Sequence, residues 1–78
     1  MLRLMGLPSV VRYPEASVVG EGGYLIICFG GLEDEQTMGI PLEYTGAQDA
    51  ESAELMLLAQ LQRIGYRVRR GLPRGANS

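Results

Sequence analysis

Glu33-Asp34-Glu35 is the densest run of ionisable side chains in this 78-residue chain. Three carboxylates in a row admit two chemistries besides plain solvation: oxygen ligation of a hard cation such as magnesium or calcium, and recognition of a basic partner. Consecutive residues project in different directions, and no calcium-loop pattern of alternating acids surrounds them, so no metal site is expected. A charge run of this kind is most often a solvated loop and next most often an interaction patch. Glu43 joins these three as a candidate contact with a basic partner. All nine acidic residues fall between Glu15 and Glu54, while five of the seven basic ones lie at Arg63, Arg67, Arg69, Arg70 and Arg74. An acidic middle without basic interleaving argues against nucleic acid as the main ligand, since phosphate binding needs a positive footprint. Arg67, Arg69 and Arg70 are the exception: they can touch phosphate or an acidic partner, or simply form the polar side of an edge strand.

Other chemistry is thinly supplied. Histidine is absent, which removes the commonest general base and metal ligand, so neither an enzyme nor a cofactor is expected. Cys28 sits in an apolar run with no cation beside it, the setting of a buried, unreactive thiol. Gly20, Gly22 and Gly23 form a Gly-x-Gly-Gly cluster, but a phosphate cradle needs a helix after it and here a strand follows. One cysteine and no apolar leader in Met1–Pro8 fit a reducing, cytoplasmic setting, and no run reaches the roughly 18 to 20 apolar residues that span a membrane.

The elements that position these residues are organised around Glu21–Gly30, which joins a glycine turn to the one strongly β-forming apolar run. Leu25, Ile27 and Phe29 share one side of its pleat; Tyr24, Ile26 and Cys28 share the other. Both sides are apolar, so both want cover, and one helix covers only one face. The fold expected is α+β: a three-stranded antiparallel sheet, one helix packed on it and a short fourth strand, in the order β-β-β-α-β. A first strand over Val10–Val19 is interrupted at Pro14, which has no amide to donate and marks an edge or a break. Gly22-Gly23 make the hairpin turn. Leu32–Gln36 reads as an exposed connection, and Thr37–Tyr44 as a third strand with Met38, Ile40 and Leu42 on one side. Asp49 is a fitting N-cap for a helix over Ala50–Ile64, Gly65 its stop, and Tyr66–Arg70 the last strand. Residues 1–9 form an arm, 10–70 one domain and 71–78 a flexible tail. At this length a domain buries only about 60% of its unfolded surface, so a monomer is marginally stable.

At 100° per residue, Ala53, Met56, Leu57, Leu61 and Ile64 fall on the helix arc that packs on the sheet. Leu55 lies roughly opposite and Leu58 near the edge. Either the helix is rotated and Leu58 belongs to the core, or Leu55 and Leu58 form a second apolar stripe that meets another chain. Together with Tyr24 and Ile26 they are the candidates for a dimer or second interface.

Arg12-Tyr13-Pro14 at the start and Glu21-Gly22-Gly23-Tyr24 opening the second strand, within this element order, resemble the N-terminal domain of HicB-family antitoxins. Thr37-Met38-Gly39 stands where that family closes its acidic loop with Thr-x-Gly, and Ala50–Ile64 stands at its helix. The likeness spans residues 10 to 70. It departs where Gly30-Gly31-Leu32 replaces an Asp-x-Pro, where Ile40–Ala47 is extra, and where no DNA-binding domain follows Ser78, so autoregulatory DNA binding is not expected. The resemblance implies a partial RNase-H-like fold and a homodimeric inhibitor that neutralises a small basic ribonuclease toxin. A phage-encoded inhibitor of a host defence complex, of the anti-CRISPR type, fits size and acidity equally, and a small nucleic-acid-binding module using the arginines comes third.

Overall fold

Gly22 and Gly23 take φ of +61° and +83°, the positive values that a two-residue type I′ hairpin demands of both central residues, and this turn fixes the register of the sheet. The computed structural model describes residues 6–71. Strand β1 (Glu15–Glu21) runs back along β2 (Tyr24–Gly30) with Glu21 opposite Tyr24 and Glu15 opposite Gly30. β3 (Glu35–Pro41) adds antiparallel to β2, and β4 (Arg67–Arg70) adds parallel to β1, giving the order β3-β2-β1-β4. The expected β-β-β-α-β arrangement is therefore the one found, with the fourth strand at the β1 edge.

Helix α1 (Ala50–Ile64) starts at Asp49, whose side chain accepts from the Ser52 amide at 2.7 Å, and ends at Gly65 with φ 128°. Its inner face, Ala53, Leu57 and Leu61, closes over Ala16, Val18, Leu25, Ile27, Phe29 and Ile40, and all nine are buried. Glu54 straps this layer to the sheet: one carboxylate oxygen accepts from the Gly20 amide at 3.0 Å and the other from the Arg70 guanidinium. Among the described residues, no helix is long and apolar enough to cross a membrane.

Several elements differ from expectation, each for a tertiary reason. Val10–Arg12 form a turn rather than strand, closed by the Tyr13 amide on the Ser9 carbonyl, so Pro14 marks a break and β1 lies inside the sheet. The third strand begins at Glu35 and stops at Pro41; Leu42–Thr45 is a short 3-10 helix, held where Thr45 Oγ1 donates to the Leu42 carbonyl. Ile64 is half-exposed rather than core, whereas Tyr66, just past the helix, is buried with its ring 5.2 Å from that of Phe29. Leu58 packs against the core and Leu55 stands exposed by itself, so the rotated helix is the correct reading and a second stripe is not present. Cys28 is half-buried on the face away from the helix, not in the core, because residues 25, 27 and 29 take the inner side. Of the N-terminal arm, Leu7 packs on the core, as does Val10 just after it, and the Pro8 carbonyl accepts from the Tyr66 hydroxyl; residues 1–5, and 72–78 of the tail with Arg74, lie outside the described residues.

Two ionisations report on these contacts. The Ser52 amide hydrogen bond holds the Asp49 carboxyl below its ordinary value, and burial pushes the Tyr66 phenol up. A carboxyl depressed by folding stabilises the fold above its unfolded pKa, and that contribution vanishes as pH falls through the folded value. A raised phenol acts at the other end, its contribution disappearing as pH climbs through the folded pKa. Thermal melts of Asp49→Asn, whose amide oxygen still caps, are therefore expected to lose less between pH 5 and about pH 2 than the wild type loses. Parallel acid profiles for the two proteins would refute the assignment.

A candidate protein-docking surface

The register divides the sequence-derived candidates between opposite ends and opposite faces of the sheet. Glu33 and Asp34 lie on the turn joining β2 to β3, and Glu35 opens β3 beside Gly30. Glu43 does not join them. It sits in the 3-10 helix after Pro41, which pairs with Tyr24 at the far end of the sheet. Seven residues at roughly 3.3 Å each put about 20 Å between the two sites. In place of Glu43, the acid that neighbours the turn is Glu15, paired across β1 and β2 with Gly30.

The dimer candidates are divided likewise. Leu55 and Leu58 belong to the helix layer, whereas Tyr24 and Ile26 alternate out of phase with the buried residues 25 and 27 and so stand on the uncovered face. A single interface cannot take all four. Arg67 and Arg69 pair with Glu15 and Ser17 on that same uncovered face, while Arg70 pairs with Val18 on the helix side and is held by Glu54 at 3.0 Å. Arg67 and Arg69 thus share a face from which Arg70 is separated. Among the described residues, no three His, Cys, Asp or Glu side chains converge to hold a metal ion.

What sequence reasoning missed are the apolar residues beside the acids. Leu32 is 93% exposed at the tip of the β2–β3 turn and Val11 is 87% exposed on the preceding turn. With Arg12, Glu33 and Asp34 they line a shallow depression of about 190 Å³. The rim is fixed from below. Gly31 donates to the Asp34 carbonyl at 2.9 Å, Gln36 Nε2 donates to the Tyr13 hydroxyl at 3.2 Å, and the Arg12 guanidinium lies 5.9 Å from the Tyr13 ring centre. Two turns thus meet, presenting two bare aliphatic side chains and two carboxylates from a scaffold whose other side is the core residue Tyr13. A lone leucine between two glycines and three acids was the available signal, but nothing in the sequence says that Val11 stands next to it. Comparison with known protein families, with curated proteins and with solved structures finds no match to this chain.

Proposed function

We propose that this chain is a non-enzymatic protein inhibitor of the antitoxin kind, which captures a small basic ribonuclease in the cytoplasm through the Val11–Leu32–Glu33–Asp34 surface. The observation that carries the reading is the coupling of exposed aliphatic anchors to carboxylates on a turn pinned to the sheet. Such a pairing divides the work of binding. Carboxylates speed encounter with a positive partner and select against acidic ones, while an apolar anchor desolvated at the centre of a contact supplies most of the affinity. The element order and the motifs shared with the HicB-like domain supply the kind of partner; acidity and the absence of histidine agree with it.

Affinity capture from native host lysate, with bound proteins identified by mass spectrometry, tests this reading. Recovery of one small basic ribonuclease is the expected result. Leu32→Ala should weaken that capture by about tenfold to a hundredfold, the cost of removing a central anchor. The pair Glu33→Lys and Asp34→Lys should slow association and flatten its dependence on salt, with the thermal midpoint unchanged. Glu35 is left intact in this test because its side chain belongs to the uncovered face of the sheet. Undiminished capture by both variants would reject the surface, and recovery of a large defence effector instead would place the protein among phage-type inhibitors.

A further inference from the structure

The two edges of the sheet are not equivalent. Along an antiparallel ladder, pairs that exchange backbone hydrogen bonds alternate with pairs that do not. The Gly31 amide donates to the Asp34 carbonyl at one end of the β2–β3 ladder and the Leu42 amide to the Gly23 carbonyl at the other, which fixes the inward-bonded residues of β3 as Gln36, Met38 and Ile40. Glu35, Thr37 and Gly39 therefore turn both backbone amide and carbonyl away from the sheet, and Pro41 turns out a carbonyl alone. On β4 the amides of Arg67 and Gly71 donate to Pro14 and Val18 of the neighbouring strand, so only Val68 and Arg70 face outward, in a strand of four residues of which three are arginine. Short length and positive charge are how sheets blunt an edge. β3 has seven residues, its charge is confined to Glu35, and residues 36–40 carry none. Helix α1 packs chiefly on β1 and β4, away from this edge.

We infer that β3 is a template for strand addition, and that its occupant is an extended segment of a partner protein paired antiparallel to it, the more stable of the two pairings. The side chains along the edge define what that segment carries. Opposite Glu35 a lysine or arginine is favoured, and opposite Thr37 another threonine or a β-branched residue. Gly39 leaves a gap on the uncovered face, bordered by Ile26 and Tyr24, whose side-chain carbons lie 3.7 and 3.9 Å from where a Cβ would stand. An aromatic ring opposite Gly39 fills that gap. On the helix side Met38 is half-buried against the core, so the residue facing it is apolar. From its own N-terminus the segment thus runs aromatic, apolar, threonine, polar, basic. A second copy of this chain does not meet that description: antiparallel pairing of two β3 edges about Thr37 sets Glu35 against Gly39, with no cation for either carboxylate. The basic end of the added strand lies beside the Leu32–Asp34 turn, where β3 begins. Only the identity of the protein that carries the segment rests on the proposed capture of a basic ribonuclease; the chemistry of the edge does not.

The probe that tests this is the peptide Ser-Phe-Val-Thr-Gln-Arg-Ser with blocked ends, titrated into the isotope-labelled full chain and followed by amide NMR. The amides of Glu35, Thr37 and Gly39 should shift and gain protection from hydrogen exchange. N-methylation of the peptide at Phe, Thr and Arg, whose amides meet the edge, should abolish binding, whereas N-methylation at Val and Gln, whose amides face away, should leave it as it was. Glu35→Arg should weaken the parent peptide several-fold, and a peptide with Glu in place of Arg should recover the loss on that variant. Leu32→Ala should bind the peptide as the wild type does, which separates a failure of this edge from a failure of the turn surface. No shift at millimolar peptide, or equal binding by the two N-methylated forms, would overturn strand addition. A wild type that dimerises in sedimentation, and is made monomeric by Thr37→Pro with its fold intact by circular dichroism, would overturn the occupant.

Discussion

Phe29→Ala is expected to leave the chain largely unfolded at room temperature. Phe29 is fully buried near the C-terminal end of β2 and meets Tyr66 at 5.2 Å with the rings tilted by 52°. Truncating a buried phenylalanine costs about 3–5 kcal/mol, partly in lost transfer energy and partly in the cavity that a rigid surround cannot close. Stability of roughly 0.05–0.15 kcal/mol per residue gives a chain of this length about 4–12 kcal/mol in total. A single domain this small sits toward the lower end, so the loss approaches the whole. The effect spreads beyond the strand. Tyr66 rests on Phe29, its hydroxyl donates to the Pro8 carbonyl, and it begins the connection into β4, so the arm and the last strand loosen together. Urea titration followed by circular dichroism should show a cooperative transition for the wild type and no folded baseline for the variant, with Phe29→Leu between them. A loss under about 1 kcal/mol would mean that the β2–Tyr66 contact does not organise the core.

Where local chemistry decides an element, the sequence was sufficient. Gly22-Gly23, Asp49 and Gly65 each answer a backbone requirement that no neighbour can alter: two positive φ values, an open amide to cap, a helix that must reverse. The strand and helix they bound were legible for the same reason. Misreadings arose where tertiary partners compete. Val10–Arg12 has β-branched residues, yet Ser9 draws the chain into a turn, with its carbonyl taking the Tyr13 amide and its hydroxyl the Val11 amide. Ile64 lies on the correct arc of the helix, but angular position cannot reveal that the last turn leaves it half-exposed while Tyr66 beyond the helix is buried. An apolar run gives no sign of which side of the pleat the helix will take, so the sequence does not reveal that Cys28 stands on the open face.

The proposed docking surface was legible only in its charge. Acidic residues announce a partner of opposite sign, but their grouping depends on register, which separated Glu43 from Glu33 and Asp34 and brought Glu15 close instead. In the same way Arg70 was drawn to the helix side by Glu54, thirty-four residues from the Gly20 amide that the same carboxylate also holds. Leu32 and Val11, the aliphatic anchors of the proposed surface, carry no charge and no motif. Only the meeting of two turns around Gly31 makes them one surface.

That meeting point yields the second large effect. A Cβ on Gly31 would stand 2.6 Å from the Arg12 carbonyl oxygen, 2.9 Å from Tyr13 Cδ1 and 3.0 Å from the Asp34 carbonyl oxygen. Two of the three are backbone atoms, so no side-chain rotation relieves the clash, and one belongs to the hydrogen bond that closes the turn. Gly31→Val is expected to lose about 3 kcal/mol, the upper range for forcing extra atoms into a packed site. Gly30→Ala is the matched control, since its Cβ would meet only Glu15 atoms at 3.9 Å, an ordinary contact. A stability loss alone would place Gly31 among core residues; its position predicts more. Because relief requires the Leu32–Asp34 turn to separate from Arg12 and Tyr13, the milder Gly31→Ala should lose partner capture under conditions where it is still folded, as Gly30→Ala should not. Urea midpoints and capture efficiency measured on both alanine variants decide the matter. Equal behaviour of the two would show that the turn is not held by this contact, and that the docking surface does not depend on the approach of one turn to the other.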